Sequence, residues 1–440
     1  MLITGAELPD GRVRDVRTDE GRIVEIEDSL HSLPDEETVD ADGLTLLPGA
    51  IDVHVHFPEP GHGHKETWAT GTRSAAGGVT TVVDQPNTTP PTVDGTAFDE
   101  KAEFAANAAV NYGINGGVND DWDPDSLLSR PVFALGEVFL ADSTGDMGIE
   151  ADLFRDACER AADEDVVVTV HAEDADLFDE RVLPRSTDGA SGERSDPRAG
   201  ATSRDDADAW SAYRTADAEE AAVERAVAVG AEAGATVHVA HTSTAEGVDA
   251  ARAGDATCEV TPHHLFLSRA DLDDLGTFGR MNPPLRSEDR RAALFERLAD
   301  GRVDVVATDH APHTREEKDA SIWDAPSGVP GVETALPLLL EAARGGDLSY
   351  ERVRDVTAAN PADIFGLERK GRVEAGRDAD LVLVDPEASR EIRGGDLHSK
   401  AEWTPFEGKQ GVFPEWTMVR GTVVWDGEDV GEFTGENVRQ

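Results

Sequence analysis

Cysteine is nearly absent: the 440 residues carry two, Cys158 and Cys258. Two such residues make no disulfide framework. Long apolar runs are missing as well. No stretch of about 18 uninterrupted apolar residues occurs, which excludes a membrane span. The opening segment, Met1-Leu2-Ile3-Thr4-Gly5-Ala6-Glu7, has neither a charged leader nor an apolar signal segment. The expected location is therefore the cytoplasm. Positive charge is in short supply too. Only 40 residues are basic against 90 acidic ones, giving a net charge of -50. That balance argues against binding DNA or RNA. The acids are spread along the whole chain, so they form a solvated surface and not an acidic tail. Such a surface suits high salt, where the Debye length falls to about 3 Å and mutual repulsion is screened. At low salt the same repulsion destabilises a fold.

Hydrophobic residues make up 39% of the chain, enough for a substantial core. The length suits a large barrel with an accessory domain. Residues 13–17 and 21–26 alternate apolar and polar around Asp19-Glu20-Gly21, the mark of short strands and a turn. The texture returns at residues 379–385 and at 417–425, where a hairpin is expected through Arg420-Gly421. The two ends are therefore expected to join as a small β-sandwich domain, from residues 1–47 and 371–440. Between them, residues 48–370 alternate apolar β-rich runs with amphipathic helical stretches. Strands are expected at 50–56, 79–84, 113–118, 132–140, 166–171, 236–241, 258–262 and 303–309. Helices are expected at 66–76, 151–162, 216–233, 289–298 and 332–343. Eight such units predict an α/β fold of the (β/α)8 TIM-like barrel type. The polar stretch 179–208 reads as an extended loop after the fifth strand.

Chemistry in such barrels gathers at the C-terminal ends of the strands. Candidate metal ligands fall at those ends. His54 and His56 close the first strand and, being two apart, point to one face. His171 closes the fifth, His241 the sixth and Asp309 the eighth. Any one of these histidines alone reads as a packing residue. Together, at matching ends of different strands, they point to one cation. Imidazole and carboxylate suit Zn2+, one or two per chain. A bound metal lowers the pKa of water to near 7, and Asp309 is placed to take a proton and pass it on. His62, His64, His263 and His264 read as loop or packing groups, Cys258 as core, and His238 as facing away from the metal.

The resemblance to a known family rests on these segments and several more. They include Asp52-Val53-His54-Val55-His56, Glu59-Pro60-Gly61, Lys65-Glu66-Thr67 and Gln85-Pro86-Asn87-Thr88. Further along come Pro262-His263-His264-Leu265-Phe266-Leu267, Asn282-Pro283-Pro284-Leu285-Arg286 and Thr308-Asp309-His310-Ala311-Pro312-His313-Thr314. Later come Gly331-Val332-Glu333-Thr334 and Thr404-Pro405-Phe406-Glu407-Gly408. The chain resembles the amidohydrolase superfamily and, within it, the dihydroorotases, over nearly its whole length. That resemblance implies reversible hydrolysis of (S)-dihydroorotate to N-carbamoyl-L-aspartate in pyrimidine synthesis. It also implies substrate contacts from Asn87, Asn282 and His313. A homo-oligomer, or association with another enzyme of that pathway, is a further expectation.

Two positions depart from the family pattern. Many relatives carry a carboxylated lysine at the end of the fourth strand; the matching position here is Glu137. Glutamate already supplies a carboxylate, but it is shorter by roughly 3.5–4 Å of reach, so for it to serve the backbone must move in, or one metal must shift, or only one metal binds. Asp142 is the weaker rival for that role. The second departure is Pro58, where dihydroorotases usually place an arginine that holds the substrate carboxylate. Proline offers no donor. It keeps another cyclic amidohydrolase, an allantoinase or hydantoinase, in view. A non-catalytic scaffold relative is the other alternative.

Overall fold

The computed structural model describes residues 1–140, 147–184, 207–427 and 429–440. Strands come first from the chain start: β1 (Leu2–Glu7), β2 (Val13–Asp19), β3 (Arg22–Glu27), β4 (Thr38–Asp40) and β5 (Thr45–Pro48). The barrel strands follow: β6 (Ala50–Val55), β7 (Val79–Asp84), β8 (Asn111–Ile114), β9 (Leu135–Phe139), β10 (Val168–His171), β11 (Val237–Val239), β12 (Thr257–Val260) and β13 (Val305–Val306). The end of the chain adds β14 (Leu381–Glu391), β15 (Gln410–Val419) and β16 (Thr422–Trp425).

Both chain ends meet in one sheet of order β16-β15-β14-β5-β1-β2-β3, with β4 beside β1. The expected sandwich thus takes the form of one continuous eight-stranded sheet. The junction is β5 against β14, antiparallel, with Leu47 opposite Val382. Ile3, Val16, Ile23, Leu46, Leu381 and Met418 share its buried apolar cluster. The β15–β16 hairpin turns on Arg420 and Gly421, both at positive φ (46° and 80°). Two left-handed residues between paired strands match the right-handed strand twist.

The barrel is closed by a few contacts. β6-β7-β8 form one parallel sheet and β13-β12-β11-β10-β9 another. Bridges Gly116 to Leu135 and Val55 to His310 join them at both seams, completing eight parallel strands. Every residue of β6, β7, β8 and β9 is buried, as expected when helices cover a parallel sheet. The helix Ala216–Ala233 shows why the helical stretches form where they do. Thr215 caps it by accepting from the Ala218 N–H, and Gly234 ends it at φ 75°. Strand 79–84 and helix 216–233 have their expected bounds. The eighth strand is much shorter than expected, Val305–Val306 alone, because the chain leaves the ladder before Asp309. Residues 185–206 of the expected long loop, and Asp142, lie outside the described residues. Among the described residues, no helix is long and apolar enough to cross a membrane.

Candidate active site

At the mouth of the barrel, side chains from five strand ends converge. His54 Nε2 lies 3.2 Å from His56 Nε2. His171 Nδ1 lies 3.0 Å from His241 Nε2. Glu137 sits between these pairs. Its Oε1 is 2.9 Å from His171 Nδ1 and 2.5 Å from His241 Nε2. Its Oε2 is 3.4 Å from His54 Nε2 and 3.9 Å from His56 Nε2. Asp309 Oδ1 stands 3.0 Å from His56 Nε2 and 3.7 Å from His54 Nε2. The six residues named from sequence are therefore gathered around one centre.

Their outer hydrogen bonds decide which atoms face inward as lone pairs. His54 Nδ1–H donates to Glu259 Oε1 at 2.5 Å, which leaves Nε2 as an acceptor. His56 Nδ1–H donates to Asn87 Oδ1 at 2.8 Å, with the same consequence. His171 Nε2–H donates to Glu173 Oε2 at 2.8 Å and leaves Nδ1 inward. Acceptors thus face acceptors at hydrogen-bond distance, an arrangement stable only with a cation, or protons, between them. Two triads, His54/His56/Glu137 and Glu137/His171/His241, each bring their ligand atoms within 4.8 Å of one another. Nitrogen and oxygen donors in groups of three, sharing one carboxylate, fit a divalent metal.

The charges tell the same story. Burial opposes the imidazolium of His54, but Glu259 and Glu137 outweigh it and raise its pKa well above the ordinary value. Burial likewise opposes the charge on His171, while Glu137 and Glu173 push its pKa up to about 9. Burial works against the Glu137 carboxylate, yet His241 and His54 hold its pKa well below the usual range. Positive charge is wanted at this point, and without a metal protons supply it.

The backbone is shaped for this convergence. His241 and Asp309 have φ of 30° and 47°, a left-handed conformation uncommon outside glycine that turns each chain segment sharply at its strand end. Gly136 has φ 146°, and a Cβ there would lie 1.9 Å from Thr169 Oγ1. Only glycine lets β9 come this near β10, which is how the short Glu137 side chain reaches the centre. Behind the site, Asp52 accepts from the Thr308 N–H at 3.0 Å, the Thr308 hydroxyl at 2.5 Å and the His54 N–H at 3.2 Å. That carboxylate staples the first strand to the last.

A cavity of about 240 Å3 opens over the cluster. Asn87, Asn282 and His313 line it, together with Pro58, His62, Lys65, Gln85 and Ser327. Trp210 Nε1–H donates to Asn282 Oδ1 at 3.0 Å, and His313 Nε2–H donates to the Ser327 carbonyl at 2.9 Å. His238 turns away, bonded to Thr257 and Glu259; His64 pairs with Glu317 near the surface; Cys258 is buried core. Three residues escaped the sequence reading. Glu259 orients His54 and also accepts from the His241 N–H at 3.1 Å. Its signal was an acid inside the apolar strand Cys258-Glu259-Val260. Glu173, two residues after His171, orients that imidazole and pairs with Arg214. Lys65, in the loop after the first strand, lines the cavity; its segment Lys65-Glu66-Thr67 belongs to the family resemblance, but no role was read for it there.

A closed parallel barrel carrying four imidazoles and two carboxylates at its mouth defines a hydrolase-type metal barrel. The comparison with known proteins then places it: the chain belongs to the amidohydrolase family, whose profile matches residues 45–424. It is 70% identical to a dihydroorotase of Halobacterium salinarum, with all of both chains covered. It is 42% identical to a dihydroorotase of Methanosarcina acetivorans, covering 94% of this chain and 89% of that one. Among solved structures it is similar to the L-hydantoinase (dihydropyrimidinase) of Arthrobacter aurescens, with a TM-score of 0.89, 26% identity and coverage of 99% and 98%. The family resemblance read from the sequence motifs is borne out.

Proposed function

We propose that this chain is a dihydroorotase, hydrolysing the ring amide of (S)-dihydroorotate to N-carbamoyl-L-aspartate, and the reverse, in cytoplasmic pyrimidine synthesis. The observation that supports it most is the junction of the six-residue cluster with Asn87, Asn282 and His313 around one small cavity. Full-length identity of 70% to a dihydroorotase agrees with it.

Zn2+ held by these residues supplies Lewis acidity, which polarises an amide oxygen and acidifies water. His54, His56, Glu137, His171, His241 and Asp309 are the residues that would hold the metal, one or two ions per chain. Glu259 and Glu173 fix the tautomers of His54 and His171 so that lone pairs face the centre. Asp309, beside His56, takes the proton from the attacking water and delivers it to the leaving ring nitrogen. Asn87 accepts from His56 through its oxygen, so its amide N–H group is the end available to the ring. Asn282 and His313 complete the positioning, which lowers the barrier by fixing the attack geometry.

Assays of metal-loaded protein with dihydroorotate, allantoin and hydantoin side by side test the reading. Dihydroorotate is the expected substrate, and Asp309→Asn is expected to lower kcat by about 10²–10⁴-fold. Turnover of hydantoin or allantoin with none of dihydroorotate overturns it. A hydantoinase is the second reading, favoured by one observation: Pro58 lines the cavity and offers no donor to a carboxylate.

A further inference from the structure

Dihydroorotate is an anion, and the chain that receives it carries a net charge of -50. The cavity adds Glu137 and Asp309 to that field. A carboxylate drawn into such a place needs a fixed cation or several strong donors. The six-residue cluster that would hold the metal would be engaged at the scissile amide. The carboxylate sits two ring bonds from that carbonyl carbon, on the far side of the ring, so another group must meet it.

Among the described residues lining the cavity, Lys65 is the one lysine or arginine. The loop after β6 folds back to bring it there. The His62 N–H donates to the Pro58 carbonyl at 2.7 Å, and the Lys65 N–H donates to the His62 carbonyl at 2.9 Å. These turns fold the loop back on itself, and Lys65 and Pro58 both line the cavity. Its side chain is 15% exposed. Its Nζ donates to His313 Nδ1 at 3.1 Å and lies 3.4 Å from Glu317 Oε1. His313 is itself neutral, for burial and then the charges of Lys65 and Lys318 push its pKa down to about 3. With Nε2–H given to Ser327, its Nδ1 is an acceptor facing Lys65. An acceptor nitrogen repels a carboxylate; the ammonium beside it attracts one. His313 therefore acts on the anion by holding Lys65 in place. An ammonium has three N–H donors, so contacts to His313 and Glu317 leave one for substrate.

We propose that Lys65 is the residue that recognises the carboxylate of the substrate, in the place where Pro58 supplies nothing. This rests on the dihydroorotase reading and adds the specificity-determining group. Lys65 acts in binding and not in proton transfer, so its loss falls mainly on KM.

The test measures kcat and KM for dihydroorotate with metal-loaded wild type, Lys65→Met and Lys65→Arg, with zinc content and melting temperature recorded for each. Loss of one charge-assisted contact is expected to raise KM about 10–100-fold in Lys65→Met, with a smaller change in kcat. Lys65→Arg keeps the charge and is expected to recover most of the loss. If Lys65→Met does not fold, Lys65→Gln takes its place, with the same expected rise. A KM within twofold of wild type in the uncharged variant overturns the proposal, as does equal loss in the methionine and arginine variants. Wild-type protein inactive on dihydroorotate overturns the underlying reading instead, and that result is visible before any variant is made.

Discussion

Glu259 holds two of the proposed ligands, His54 and His241, with one carboxylate. It accepts the Nδ1–H of His54 and the backbone N–H of His241, and His238 packs against its other oxygen. Burial opposes its charge, and His54 and His238 hold its pKa far below the usual range, so it stays ionised. Glu259→Gln removes the charge and puts an amide N–H2 in place of one carboxylate oxygen, facing either His54 or His238. Zinc affinity is then expected to fall about 10–100-fold, read by competition with a chromophoric chelator. An affinity equal to wild type rules out the orienting role. The histidines themselves predict a pH dependence. In the metal-free protein His54 and His171 hold protons, His171 up to about pH 9. A metal must displace those protons, because only neutral imidazole is a ligand. Affinity is therefore expected to rise with pH through neutrality toward about 9, by about tenfold per unit for each proton displaced, and to weaken in acid. Titrations of zinc at several pH values check this; a flat profile contradicts the protonated metal-free state.

At the scale of elements, the barrel is held shut at its first and last strands by few contacts. β13 spans two residues, and the seam to β6 is one bridge, Val55 to His310. Asp52 does much of the remaining work by accepting from Thr308 and His54. Its burial pushes its pKa up to about 6, and it is ionised at neutral pH. Asp52→Ala leaves the buried Thr308 N–H without a partner and is expected to cost about 1–3 kcal/mol in urea denaturation, together with zinc content, since Asp309 follows Thr308 directly. Full retention of both shows that the seam closes without the staple. This part of the molecule also marks where the sequence was readable. β7 and the helix Ala216–Ala233 were legible because continuous apolar runs or strong helix formers ended at clear signals, Thr215 and Gly234 among them. The proposed ligands were legible because imidazoles and carboxylates recur at matching ends of several strands, although any one alone reads as a packing residue. The eighth strand was overextended, because residues 307–309 follow an apolar run without a break signal while the backbone turns away at Asp309, with φ 47°. Gly136 carried no warning that its missing Cβ admits β9 against β10. Lys65 was invisible in its role because loop folding, and not periodicity, brings it to His313.

The whole molecule is governed by its charge. Ninety acidic residues against forty basic ones leave an excess of fifty acids with no basic residue to match them one for one. Many arginines are paired at the surface, as in Arg130–Asp99, Arg297–Asp249 and Arg372–Asp363. Exposed pairs of this kind contribute little individually, and salt weakens them further. If they dominated, salt would destabilise the fold. Repulsion among the unpaired acids acts in the opposite direction and over longer range, since the Debye length is about 10 Å at 0.1 M and about 3 Å at 1 M. With an excess of fifty negative charges the repulsion is expected to win. Thermal melting of the metal-loaded protein is therefore expected to shift upward by several degrees between about 0.1 M and 2 M KCl, most steeply at the low end where screening changes fastest. Sorbitol at matched osmolality separates screening from solvent exclusion, because a neutral osmolyte leaves the repulsion intact. A melting temperature that falls with KCl, or that rises equally with sorbitol, contradicts the screening account. The same field bears on catalysis: an anionic substrate meets a repelling surface at low salt, so KM is expected to fall as KCl rises until screening also reaches Lys65 in the cavity.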